Sequence, residues 1–349
     1  MTLVEVLISM VVATVVVLAV YQTFAASEGY RRAATGGGDA TFNGSLGMYT
    51  LQRDLRMAGF GLNTMSVIGC RVLGYDEGVA PAREFEFTLA PVVITQGVAG
   101  APDTIEISYS GIDGSPAPVR LTQTMANPTV TYRINNAFGI IAGQLLIVAE
   151  PGRDCTLSQA TNTPVLEPVG QQDRLRHEHG TYVGPLGTPV VARYNKPGGL
   201  GPNYTLAGII YSVGQAPTVN RYYVANENLV VDPVLQGGNG LPVAAGVVQL
   251  QAQYGKDTNA DGLIDVWDEI TPASANDWSG VIAVRVGLIS RSAVAERPDP
   301  GTGVCNATTA APTWIGGAFD LSAGAEWRCF HYRVFESTIS LRNMIWRPV

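Results

Sequence analysis

The chain opens on an uninterrupted apolar run. In MTLVEVLISMVVATVVVLAVYQTFAA the only charged side chain is Glu5, and residues 6–26 carry none. A helix of about 20 apolar residues spans a bilayer core, and a single span in lipid has only the helix open to it, because every backbone group must find its partner within the segment. The pattern therefore predicts a membrane-competent helix. A helical period returns over residues 41–58, where Phe42, Leu46 and Tyr49, then Leu51, Leu55 and Ala58, recur at three- or four-residue spacing. Asp39 or Thr41 can cap its start and Gly59 its end. Between the two runs stands Gly36-Gly37-Gly38. Each glycine costs a helix about 1 kcal/mol relative to alanine, so an interruption is expected there.

Beyond Gly61 the period changes to two. Residues 104–109 alternate cleanly, 145–149 form a buried-type run, and 221–231 hold the turn Asn226-Glu227-Asn228 between two short apolar pieces. Residues 248–254 alternate polar and apolar as a half-buried strand does, and 281–290 and 332–341 are two further strands. The stretches 81–100, 161–187 and 194–214, rich in Gly, Pro, Thr and Asn, read as surface loops. The fold class is thus α+β: one long N-terminal helix over residues 1–58, of which 1–26 are apolar, followed by a β-rich head over 59–349 with long loops.

Composition agrees with this division. Of 349 residues 46% are hydrophobic and only 15% charged, with 40 Gly and 21 Pro, against about 25% charged in typical soluble domains. The net charge of −7 gives no footing to a nucleic-acid groove, which needs clustered Lys and Arg. Four cysteines lack CxxC spacing, which speaks against zinc-ribbon or thioredoxin chemistry. Disulfides fit an oxidising compartment. Proximity in sequence favours Cys305 with Cys329 and Cys70 with Cys155, one of the three possible pairings; free buried cysteines are the alternative.

Glu5 needs an explanation, since a carboxylate one turn inside an apolar helix is costly without a partner. A secretory signal would carry a basic n-region, and the first basic residue here is Arg31; a plain membrane anchor leaves Glu5 unexplained. A positive charge on a neighbouring copy would serve. Here the sequence resembles a family: Met1-Thr2-Leu3-Val4-Glu5-Val6-Leu7-Ile8 is similar to the mature N-terminus of a type IV pilin, with Met1 in place of the usual Phe. The run Arg53-Asp54-Leu55-Arg56-Met57-Ala58-Gly59, the strand and loop from Gln253-Tyr254-Gly255, Trp278 with Val281-Ile282-Ala283-Val284-Arg285-Val286, and Tyr332-Arg333-Val334-Phe335 with Leu341-Arg342-Asn343 resemble the PilW-like subclass.

That resemblance implies a chain processed and methylated at residue 1 by a prepilin peptidase, held in the inner membrane by its apolar helix, and extracted by an inner-membrane assembly platform into an extracellular filament. Glu5 would neutralise the terminal amine of an adjacent subunit at Met1, and the partners would be other pilin subunits, with roles in adhesion or motility. PilW-like proteins are usually minor subunits that prime assembly or sit at the tip, but a principal subunit remains open. A type II secretion pseudopilin and a membrane-anchored binding module are the alternatives. In such filaments part of the first helix is often melted, and the glycine triplet would be a site for that. Arg31-Arg32 would sit at the lipid headgroups before assembly.

Three other features are candidates for chemistry. Asp257-Thr258-Asn259-Ala260-Asp261-Gly262-Leu263-Ile264-Asp265-Val266-Trp267-Asp268 follows the EF-hand template: oxygen donors at positions 1, 3 and 5, Gly at 6, a backbone carbonyl at Leu263, then Asp265 and Asp268. Asp268 stands where Glu is usual, and Glu269 could substitute. A structural Ca²⁺ gives these carboxylates a reason to be together; an Asx-rich turn between strands is the plain alternative. His177-Glu178-His179 reads as a solvated loop rather than a metal site, and no GxSxG or HExxH occurs, so no enzyme is expected. Trp267, Trp278, Trp314, Trp327 and Trp346, with Tyr222-Tyr223, read as core before they read as an adhesive surface.

Overall fold

The computed structural model describes the backbone of residues 2–62, 67–111, 117–238, 240–322, 324 and 326–345, and their side chains except at 25, 26, 28–35 and 345. Met1, Trp346 and the side chains of Arg31 and Arg32 lie outside the described residues.

One helix runs from Leu3 to Met57 without a break. The interruption expected at Gly36-Gly37-Gly38 is absent: all three glycines are helical. A glycine triplet costs a few kcal/mol at most, and the turns that follow it are packed onto the head from Ala40 onward. Packing decides, as it does for most protein helices.

The helix lies on a four-stranded antiparallel sheet of strands Val266–Asp268, Val247–Lys256, Val281–Arg291 and Tyr332–Ser340, in that order. Leu288 sits opposite both Leu250 and Phe335. The helix also reaches a five-stranded sheet, Leu241–Ala245, Asn228–Pro233, Thr218–Ala225, Thr104–Tyr109 and Val92–Thr95. Asn226 and Glu227 both take positive φ (48° and 60°) in the hairpin between two of its strands, as a two-residue turn with the strands' own twist requires.

The residues that meet the sheets differ from the apolar set read from periodicity. Leu51, Leu55 and Ala58 are fully buried, but Phe42, Leu46 and Tyr49 are exposed. The seam continues upward through Met48, Gly47, Gly44 and Ala40 instead. A Cβ on Gly44 would strike the ring of Phe335, and one on Gly47 would crowd Leu229 and Ala244. Small residues let the helix approach the strands, and apolarity alone does not reveal that.

Asp54, in the middle of the buried turn, is 1% exposed. Tyr222 Oη donates to its Oδ2 at 2.7 Å and Asn220 Nδ2 to the same oxygen at 2.8 Å, while Arg53 Nε donates to Oδ1 at 3.1 Å. The desolvated Tyr222 phenol is pushed far above its usual range, so it stays a donor.

A six-stranded sheet, Arg83–Thr88, Arg71–Asp76, Cys155–Gln159, Leu145–Ala149, Ile209–Gly214 and Val119–Arg120, forms the rest of the head. It is mixed rather than purely antiparallel, since Arg71–Asp76 runs parallel to Cys155–Gln159. Three of the expected surface loops contain strands. Arg83–Thr88 and Val92–Thr95 fall in the first, Arg174–Leu175 and Thr181–Val183 in the second, and Ile209–Gly214, buried throughout, in the third. Loop-forming glycines on either side mask the short apolar run Ile209-Ile210-Tyr211.

Strand Val247–Lys256 is buried on both faces rather than one. The excursion after Arg291 covers the face away from the helix: Trp314 and Phe319 close over Gly287, and Gln249 Nε2 donates to the Asp320 carbonyl. Cys305 is bonded to Cys329 within this excursion, and Cys70 to Cys155 beside the six-stranded sheet.

Two predictions follow from buried carboxylates. Asp54→Ala leaves the Tyr222 hydroxyl without its acceptor in a dry site, and the full chain in detergent is expected to lose about 1–3 kcal/mol, read from denaturant midpoints. Asp103 takes backbone N–H bonds from Gly97 and Ala252, yet burial pushes its carboxyl up to about 6. The folded state therefore holds this proton more tightly than the unfolded one. Its contribution is present below the unfolded carboxylate range near pH 4 and is lost as pH rises through about 6. Asp103→Asn should remove that part of the stability–pH slope, measured by denaturation from pH 4 to 7.

Candidate assembly interface

The N-terminal half of the helix has no counterpart within its own chain. Leu3–Phe24 has a mean hydropathy of 2.8 and none of it is buried. Valine in this run would weaken a helix in water, but in lipid or against other helices the intrachain hydrogen bonds are the only ones available. Thr14 and Thr23 turn their hydroxyls back to the carbonyls of Met10 and Val20 at 2.7 and 2.8 Å, which removes two polar groups from an apolar surroundings.

At the start of the helix Thr2 N–H donates to Glu5 Oε2 at 2.8 Å. One carboxylate oxygen thus caps an orphan N–H of the first turn, a place that also favours negative charge by the helix dipole. A backbone N–H supplies no full positive charge, and a carboxylate in lipid remains expensive without one. Among the described residues no cation pairs with Glu5. Met1, the other residue of the sequence-derived pair, lies outside those residues.

Below the apolar segment, Phe42 (71% exposed) and Tyr49 (65% exposed) flank Leu46 on the helix face turned away from the head. The periodicity that marked these three as facing the sheet does not hold: all three are exposed, and the sheet is met by Ala40, Gly44, Gly47 and Met48 instead.

The acidic loop is a set of tight turns. Asp257 Oδ2 accepts from Gly262 N at 2.8 Å, Asn259 Oδ1 from Asp261 N at 2.9 Å, and Asp261 Oδ1 from Leu263 N at 2.8 Å. Asp265 Oδ2 takes both Thr258 N and Thr258 Oγ1 at 2.8 Å, and these bonds hold its carboxyl below the usual carboxylate range. Ala260 and Gly262 take left-handed φ of 62° and 85°. Asp268 lies apart, on strand Val266–Asp268, where Lys256 Nζ reaches its Oδ1 at 2.6 Å. Glu269 accepts from Gln253 Nε2 at 3.0 Å. Among the described residues no three His, Cys, Asp or Glu side chains converge as metal ligands.

The three histidines have separate partners. His177 stacks on Tyr132 with centroids 3.9 Å apart and bonds the Val130 carbonyl at 2.9 Å; burial pushes its pKa down, so it is a packed neutral ring rather than part of a solvated loop. His179 meets Glu77 at 3.0 Å and His331 meets Glu296 at 2.7 Å. Of the described aromatics, Trp278 and Tyr222 are core, whereas Trp267 and Trp314 are half-buried with Arg285 over both rings.

Residues 213–343 match the family model described as type IV pilus-assembly protein W. The matched segment contains the whole four-stranded sheet under the helix and three strands of the five-stranded one. No curated protein matches the chain. Among solved structures it is similar to the type IV-like pilin TTHA1219 from Thermus thermophilus, at 12% identity and a TM-score of 0.33, over 86% of this chain and 95% of that one. The segment over residues 213–343, which holds the sheet on which the long apolar-tipped helix is laid, is thus similar to the type IV pilus-assembly protein W family.

Proposed function

We propose that this pilin is a structural subunit of an extracellular type IV pilus or pilus-like filament, inserted through its N-terminal helix. The observation that carries the proposal is the unburied apolar surface of Leu3–Phe24, whose only charged side chain is Glu5, together with the exposed Phe42, Leu46 and Tyr49. Before assembly the inner membrane covers the upper part. After extraction by an assembly platform, and processing by a prepilin peptidase, the helices of neighbouring subunits cover all of it, and the Glu5 carboxylate takes the N-terminal ammonium of an adjacent subunit at Met1. The family's description as an assembly protein favours a minor, priming or tip role over a principal one. Subunit stoichiometry in purified filaments distinguishes the two, and a filament that remains periplasmic marks a secretion pseudopilin.

Within the head, we propose that the turn from Asp257 to Asp265 takes a structural Ca²⁺. The donor types suit a hard cation: side-chain oxygens of Asp257, Asn259, Asp261 and Asp265 and the carbonyl of Leu263. Asp268 stays with Lys256. The chemistry supplied is charge neutralisation of three carboxylates within nine residues, with no reactive role.

Two measurements test these readings. Glu5→Ala is expected to leave the protein in the inner-membrane fraction but to lower its recovery in sheared filaments by about tenfold or more, given what an unpaired buried charge costs; undiminished recovery rejects the docking role. For the loop, chelation should lower the midpoint of thermal unfolding, and Asp257→Ala should abolish the difference between calcium and chelator. A wild-type midpoint indifferent to chelator rejects the site.

A further inference from the structure

The part of the head outside the family match carries a cavity of about 360 Å³. It is lined by Gln123, Thr124, Thr131, Arg133 and Arg174, with Met125 and Val130 as apolar wall. None of its lining residues is acidic, in a chain whose net charge is −7.

The two arginines are brought together by the backbone. Strand Tyr132–Arg133 pairs antiparallel with strand Arg174–Leu175, and the register sets Arg133 directly opposite Arg174. Like charges facing each other across a strand pair are destabilising. One of the two is compensated: Asp173 Oδ2 lies 2.7 Å from Arg133 Nη1. Arg174 has no carboxylate partner among the described residues. Its Nη1 donates to the neutral Gln171 Oε1 at 3.2 Å, and its Nε is buried with no hydrogen-bond partner. A buried donor without an acceptor costs about 1–3 kcal/mol, and a guanidinium suits planar carboxylates through its paired donors.

The balance of the cavity is therefore two guanidiniums against one carboxylate, a surplus of one positive charge. That surplus matches a monoanion better than a dianionic phosphate. The other polar groups, the amide of Gln123 and the hydroxyls of Thr124 and Thr131, make no hydrogen bond among the described residues, and they suit the hydroxyls of a sugar ring. The volume admits a ligand of one or two rings, within the usual range for small-molecule sites.

We propose that this cavity binds a carboxylate-bearing sugar unit, with Arg174 taking the carboxylate and Thr131 with Gln123 the ring hydroxyls. The site lies on the six-stranded-sheet side of the head, away from the helix. Binding is independent of the filament reading and can be measured whether or not the chain polymerises.

The test is titration of the full chain in detergent with galacturonate, with galactose and inorganic phosphate as the other arms, by calorimetry or ligand-observed NMR. Galacturonate is expected to bind in the millimolar to sub-millimolar range, more tightly than either control, and to weaken as salt is raised. Arg174→Gln should lower its affinity by about tenfold, the worth of a charge-assisted bidentate contact. Arg174→Lys, which keeps the charge, should retain part of the affinity, and Thr131→Ala should weaken galacturonate binding with little effect on folding. Absence of galacturonate binding by the wild type overturns the proposal. So does binding no tighter than that of galactose or phosphate, or affinity unchanged in an Arg174→Gln protein whose circular dichroism matches the wild type.

Discussion

An apolar helix segment that its own chain cannot cover dictates the rest of this molecule. Thirteen Leu, Val, Ile and Met side chains between Leu3 and Val20 stand exposed. At about 1.5–3 kcal/mol for each such side chain removed from water, their burial is worth tens of kcal/mol, more than the 5–15 kcal/mol by which a whole domain is ordinarily stable. No rearrangement of the head compensates for that. The segment must be matched by lipid or by other apolar helices, and a protein that passes from one to the other exchanges two environments of similar worth. What would differ between them is the surroundings of Glu5: lipid offers its carboxylate no charge, whereas the proposed docking supplies an ammonium.

The head is organised to present this helix. The four-stranded sheet under residues 40–58 belongs to the segment that matches the pilus-assembly family, and the helix is let down onto it by Gly44 and Gly47. The six-stranded sheet lies almost wholly outside the match. It has apolar clusters on both faces, one with Val72, Ile147 and Tyr211, the other with Leu146, Val148 and Ile210, so it stands as a second core added beside the first. The Cys70–Cys155 bond closes within this second core and the Cys305–Cys329 bond within the excursion over the first. Stability of the helix platform and elaboration of the outer surface are thus handled by different parts of the chain.

Both ends of this arrangement were legible in the sequence, and for a common reason. The apolar run, the alternating residues 248–254 and the motif residues around Trp278 and Tyr332 sit in regular elements whose periodicity is local. Cysteine pairing followed from proximity. What stayed hidden depends on contacts distant in sequence. Gly36-Gly37-Gly38 remain helical because Ala40 and the turns after it are packed. Ile209-Ile210-Tyr211 form a central strand only because Leu145–Ala149 lies beside them. The face of the helix that meets the sheet is set by the absence of side chains at Gly44 and Gly47, which a hydrophobicity pattern reads as a gap. The template for the acidic loop placed Asp268 at its twelfth position, but Lys256, on the adjacent strand, claims that carboxylate.

Asp54 ties the helix to the head. Burying a carboxylate is tolerable only when its hydrogen bonds are made, and here the donors Tyr222 and Asn220 come from one strand, Thr218–Ala225. A helix turns by about 100° per residue, so a slip of one position would withdraw Asp54 from both donors and leave a charge stranded in the core. The carboxylate therefore fixes the rotation of the helix about its axis as well as its attachment. Since the helix is continuous from Leu3 to Met57, fixing its rotation at Asp54 also fixes which way Phe42, Leu46 and Tyr49, and the apolar segment above them, point. A polar contact in the head thus sets the rotation of apolar side chains from about 18 Å away at Phe42 to about 76 Å away at Leu3 along the same helix, at about 1.5 Å per residue.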